Sequence, residues 1–179
     1  MHLDKYNNNI FWLMGPTSSG KTTLAKLLYG RLLRAKNIAF HFDGDEVRDA
    51  FGDNLGFSNN DRLLVVKTLV YVSNKGFSAG ANVIVSALTA FDDARLYIKK
   101  NLHQSIVIYL RCSISECAQR DPKGLYAREK QGDINTLVGV NSKYLEPVNP
   151  DIIIDTEGSS PEESLQQFIS ELGKIKIFI

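Results

Sequence analysis

Cysteine is scarce: two among 179 residues, Cys112 and Cys117. Their spacing suits neither a CxxC metal knuckle nor a redox pair, so two buried spare thiols in a reducing cytoplasm are expected. An excess of either charge is also missing, with 21 Lys and Arg against 20 Asp and Glu and a formal net charge of +1. That leaves no basic field to track a nucleic acid backbone, and a small-molecule partner is expected instead. No apolar run nears the roughly 20 residues needed to span a bilayer. Residues 1–9 lack the charged-then-apolar build of a signal peptide, so a cytoplasmic protein without a membrane role is expected. The apolar tail, residues 174–179, is short for an anchor and reads as a packed strand or helix end. Repeats and low-complexity tracts are absent from the sequence. What is present is 44% hydrophobic residues, enough for the core of one domain spanning 1–179.

Five short segments rich in Val, Ile and aromatic residues read as strands, at 9–14, 38–43, 82–87, 106–111 and 151–155. Helical patterns separate them at 21–34, 59–78, 92–101, 114–120 and 161–172, with Ser58 and Ser113 as caps and Pro161 near a helix start. Such alternation predicts an α/β fold, a five-stranded, mainly parallel sheet with helices on both faces. Ligands of such sheets bind beyond the carboxyl ends of the strands, where the segment after 9–14, Asp43 and Thr89 would emerge.

The strongest motif lies at the first of those ends. Gly15, Pro16, Thr17, Ser18, Ser19, Gly20, Lys21 and Thr22 form a G-x-x-x-x-G-K-T phosphate loop between the apolar run Ile10 to Met14 and the helical pattern that Thr23 continues. Glycines let backbone N–H groups face a triphosphate, Lys21 reaches the outer phosphates, and the Thr22 hydroxyl can ligate Mg²⁺. Binding of ATP or GTP is the consequence.

After the second strand comes His41-Phe-Asp43-Gly-Asp45-Glu-Val-Arg48. A phosphoryl acceptor hydroxyl must be oriented and relieved of its proton, so a carboxylate opposite the γ-phosphate is expected, with Asp43 the candidate. Asp45 is open to two readings, a site carboxylate or a helix cap. Arg48 and Arg62 carry the guanidinium fork that matches phosphate or sulfate oxygens, or are solvated helix charges. The charged segment from Gln119 to Tyr126, with Arg120 and Lys123 around a Pro and a Gly, has the composition of a mobile lid and equally of a surface loop.

Along nearly its whole length the chain resembles the adenylylsulfate kinase family. The resemblance rests on 15–22, Asp43-Gly-Asp45 with Arg48, Leu55-Gly-Phe-Ser58 with Asp61-Arg62, Asp121-Pro-Lys-Gly-Leu-Tyr126, and Gly139-Val-Asn-Ser142 with Tyr144. It implies a P-loop kinase fold, commonly dimeric, that moves the γ-phosphate of ATP, with Mg²⁺, onto the 3′-hydroxyl of adenosine 5′-phosphosulfate. By that resemblance Lys21 and Thr22 serve ATP and metal, with Arg120 on the donor side. Asp43 positions or deprotonates the hydroxyl, Arg48 and Arg62 hold the acceptor's charged end, Phe57 stacks on its base, and Lys123 belongs to the lid.

The departures cluster on the acceptor's base. Leu137 stands where the family has a second stacking phenylalanine, Val65 for an asparagine, and Asn141 for an aspartate. Ala87 replaces another phenylalanine, Thr89 falls where some members carry a phosphorylatable serine and is given a structural or ligand-contacting role, and Arg111 replaces an acid. Losing one stacking face forfeits about 1–3 kcal/mol per base. With the donor loop and lid intact, this pattern points to the same transfer onto a smaller base. Cytidine diphosphoramidate, the acceptor of a similar branch in capsule phosphoramidate biosynthesis, is therefore the expected substrate, and adenylylsulfate in sulfate assimilation the alternative. The presence of both Lys21 and Asp43 argues against a silent nucleotide-binding subunit.

Overall fold

The computed structural model describes residues 8–177 and 179; the polar lead-in read at 1–7 and Phe178 of the tail lie outside them. In chain order the elements are β1 (Ile10–Met14), α1 (Lys21–Arg34), β2 (Ala39–Asp43), α2 (Gly44–Phe51), α3 (Asn59–Ser78), β3 (Asn82–Ala87), α4 (Asp92–Asn101), β4 (Ser105–Arg111), α5 (Ile114–Arg120), α6 (Leu125–Lys130), β5 (Ile152–Asp155) and α7 (Pro161–Lys174). A 3-10 turn, Gly52–Asn54, follows α2.

The strands form one sheet in the order β2-β3-β1-β4-β5, and every pairing is parallel. β1 sits at its centre, which is why all five of its residues are apolar and buried rather than alternating. Its residues divide by parity. Phe11 and Leu13 join the core beneath α1 and α7, with Leu24, Leu28, Ile108, Phe168 and Leu172. Ile10, Trp12 and Met14 face the core beneath α3 and α4, with Val65, Leu69, Val85 and Ile98. Each fully buried aliphatic side chain contributes about 1.5–3 kcal/mol.

The expected caps form. Ser58 closes α3 and Ser160 closes α7 in reciprocal capping boxes with Asp61 and Glu163, and Ser113 caps α5. Two short helices went unread, α2 and α6, whose charged sequences carry little apolar periodicity. The tail packs as expected, with Ile177 and Ile179 against the α1–α7 core. Both cysteines are free and buried. Among the described residues no helix is long and apolar enough to cross a membrane.

Candidate active site

The segment leaving the central strand turns sharply into α1. A side chain at Gly15 would lie 2.6 Å from the Leu110 carbonyl oxygen and 2.7 Å from Ser19 Oγ, so only glycine fits. Gly20, the N-cap of α1, has a left-handed backbone at φ 92° and no side chain to close the helix end. The first-turn N–H groups of α1 and its positive dipole end are therefore directed at the cavity mouth, where an anion is stabilised.

Two distant contacts pin this loop. Tyr126 of α6 donates its hydroxyl to the Thr17 carbonyl at 3.1 Å, and Thr156, after β5, donates to the Ser19 carbonyl at 3.1 Å. Lys21 points its ammonium at the Pro16 carbonyl, 2.6 Å away. Burial lowers its pKa to about 8, against the opposing pull of Asp45, Cys117 and Asp43.

Asp43 is the hinge of the site. Nearly fully buried, its Oδ2 accepts from the Thr22 hydroxyl at 2.7 Å and the Ser86 hydroxyl at 2.6 Å, and its Oδ1 accepts from the Asp45 N–H at 2.9 Å. Burial alone would raise its pKa, but those three donors outweigh it and hold the group ionised below the usual carboxylate range. The third bond corrects the sequence reading: Asp43, not Asp45, caps α2. Asp45 instead pairs with Lys123 of the α5–α6 connection at 2.5 Å, a largely exposed bridge across the mouth.

Beyond Asp43 lie two arginines without a salt bridge among the described residues. Arg48 donates to the Gly56 carbonyl, and Arg62 donates to the carbonyls of Phe57 at 3.0 Å and Thr136 at 2.8 Å. Both guanidinium groups lie by the ring of Phe57, 4.6 and 5.6 Å from its centroid, and the ring is half exposed. Burial lowers the pKa of Arg62, and the charge of Arg48 lowers it further. Two guanidinium groups whose hydrogen bonds go to neutral carbonyls have the chemistry to receive an anion.

One cavity of about 1120 Å³ joins these parts, lined by Thr17 to Thr23 except Ser19, by Asp43, Arg48, Phe57, Arg62, Thr89, Arg120, Lys123 and Leu137, and by Gly158 to Pro161 and Ser164. That volume exceeds an ordinary single-ligand pocket and suits two nucleotides end to end. The sequence reading missed the β5–α7 segment, Arg128 and Ser86, none of which belongs to a motif.

Several expected residues line the cavity and also have partners within the fold. Leu137 is buried in a small apolar cluster with Cys112, Cys117 and Tyr126 and reaches the cavity from there. Val65 and Ala87 belong to the α3–α4 core while also lining the cavity. Thr89 is buried and accepts from the Trp12 indole at 3.0 Å, so its hydroxyl is committed to the fold. Arg120 donates to Glu116 at 2.9 Å and to Thr156, tying α5 to the segment after β5. Asn141 accepts from the Leu137 N–H at 2.9 Å and donates to Glu129 at 2.8 Å. A carboxylate there would face another carboxylate, which gives the amide a structural reason.

A parallel sheet with a phosphate loop at its central strand, opening onto a cavity also lined by Asp43, Arg48 and Arg62, is the build of a P-loop phosphotransferase. The family model for adenylylsulphate kinase matches residues 7–155. The chain is 37% identical over 173 residues to an adenylyl-sulfate kinase of Oceanobacillus iheyensis, covering 96% of this chain and 87% of that protein. It is 33% identical over 165 residues to an adenylyl-sulfate kinase of Pseudomonas aeruginosa, covering 91% and 84%. The Mycobacterium tuberculosis APS kinase CysC, solved with AMPPNP and APS, superposes with a TM-score of 0.84 at 29% identity, covering 93% of this chain and 98% of that one. The chain belongs to the adenylylsulfate kinase family and is an ATP-dependent kinase that phosphorylates a hydroxyl group.

Proposed function

We propose that this kinase transfers the γ-phosphate of ATP to the ribose 3′-hydroxyl of adenylyl sulfate. The carrying observation is the single cavity in which Asp43 stands between the phosphate loop and the Arg48–Phe57–Arg62 pocket. The relatives named adenylyl-sulfate kinases support this acceptor over cytidine diphosphoramidate. So do the structural reasons found for Asn141, Val65 and Leu137, which weaken the case that the departures re-shape a base pocket.

In this reading the loop N–H groups and the α1 terminus hold the ATP phosphates. Lys21 leaves Pro16 for the β- and γ-oxygens, and the lid cations Lys123 and Arg120 close over them. Magnesium fits the donor set. The Thr22 proton is spent on Asp43, which leaves the hydroxyl lone pairs able to accept a cation, and no cluster of three or more His, Cys, Asp or Glu among the described residues could hold a metal without phosphate and water ligands. Bound there, the ion would neutralise charge on the transferring group. Asp43, held ionised by three donors, orients the acceptor hydroxyl and takes its proton late in a loose transition state. Arg48 and Arg62 receive the acceptor's sulfate and phosphate, and Phe57 receives its base. The same reading makes the protein a cytoplasmic homodimer.

A second reading, with cytidine diphosphoramidate as acceptor, rests on the aliphatic Leu137 lining the same cavity as Phe57 at the position where the family has a second ring. Purified protein given Mg²⁺, ATP and each acceptor in turn separates the two by ADP release. Turnover of adenylyl sulfate alone is expected, and turnover of the cytidine compound alone would overturn the proposal.

A further inference from the structure

His41 lies outside the cavity lining but only two hydrogen bonds from Asp43, which lines it. Its Nε2 is 2.9 Å from Ser86 Oγ, and the Ser86 hydroxyl donates to Asp43 Oδ2 at 2.6 Å. A serine hydroxyl has one proton to give. Because that proton is on Asp43, His41 must be the donor to Ser86, which places a proton on Nε2. The sheet register builds this arrangement: Asp43 lies opposite Ser86 and His41 opposite Ile84, so the two β2 side chains share a face. Phe40 and Phe42 stack together on the other face.

We propose that His41 is a positioning residue for phosphoryl transfer, fixing the Ser86 hydroxyl so that it donates to Asp43 and holds that carboxylate toward the acceptor hydroxyl. The proposal rests on the role given to Asp43 above. Without that donor the Ser86 hydroxyl is held by Asp43 alone and other rotamers open to it, in which Asp43 keeps only Thr22 on Oδ2. The device works with His41 neutral or charged, since Nε2 carries a proton in both states. His41 touches neither the phosphate loop nor the paired arginines, so its loss should reach the rate and spare binding.

The experiment is a double-mutant cycle of His41→Leu and Ser86→Ala with ATP and the acceptor in steady state. His41→Leu is expected to lower kcat about fivefold, the size of one hydrogen bond, with both KM values and the Tm unchanged. His41→Gln, whose amide N–H can stand in for Nε2–H, should restore it. In the Ser86→Ala background His41→Leu should change nothing. A silent His41→Leu, or one that keeps its full effect without Ser86, would overturn the proposal. ¹⁵N spectra of the His41 ring at pH 8 test the geometry without any acceptor. A proton on Nε2 is expected, and one on Nδ1 alone would overturn it. Should no acceptor turn over, the functional reading fails by itself and the ring spectrum still decides the hydrogen bond.

Discussion

The donor end of the cavity draws on eight consecutive residues, 15–22, whose backbone and helix terminus supply most of the polar groups. The acceptor end instead assembles Arg48 from α2, Phe57 from the turn before α3, Arg62 from α3, and Thr136 and Leu137 from an irregular segment. The donor end is pinned by hydrogen bonds from Tyr126 and Thr156. At the other end the arginines rest on the ring of Phe57, to which we assign the acceptor's base. Such a pocket must trade cation–π contacts for its ligand, whereas the loop needs only to exchange one lysine contact. Phosphate binding can thus be written locally, while recognition of the second substrate depends on how distant elements pack.

The largest break in this contrast comes from removing the group at its boundary. Asp43→Ala and Lys21→Ala should each reduce kcat about a thousandfold, the scale of losing a preorganised electrostatic group, as measured by ADP release. Phe57→Ala and Arg62→Ala should raise the acceptor KM about tenfold to a hundredfold and leave the ATP KM unchanged. A matching rise for ATP would mean that the two ends are not separable.

Lys21 sharpens the donor side through pH. With its pKa lowered to about 8 in the free protein, it loses its charge above that pH, so ATP affinity should fall between pH 7 and 9 while Lys21→Arg stays flat. For stability the sign is opposite. The unfolded chain, with an ordinary lysine, binds more protons than the folded one between about 8 and 10.5, so this group makes the free protein more stable as pH rises through that window. The smallest expected effect is that of Asn141→Asp, which sets a carboxylate against Glu129 and should lower the Tm by about 1 °C.

The same division governs what could be read from the residues. The strands, five of the helices and the phosphate loop follow from periodicity and a contiguous motif, and their bounds moved by only one or two residues. The helices α2 and α6 are short and charged and carry little periodicity, and Asp43 caps α2 because β2 runs directly into that helix. Tyr126 on Thr17, Thr156 on Ser19 and Ser86 on Asp43 join residues 43 to 137 positions apart, which no local pattern encodes. In the sequence Leu137 and Asn141 read as changes to the acceptor pocket, whereas in the fold Leu137 packs with Cys112 and Cys117 and Asn141 bonds Glu129.

The most direct test of the central claim, that the two ends meet at a ribose 3′-hydroxyl, is the product itself. Incubation with Mg²⁺, ATP and adenylyl sulfate, followed by ³¹P–¹H correlation spectra, should show a new phosphate coupled to the ribose H3′, and the 3′-deoxy analogue should bind without turnover. A phosphate at any other position, or phosphorylation of the 3′-deoxy analogue, would contradict the account.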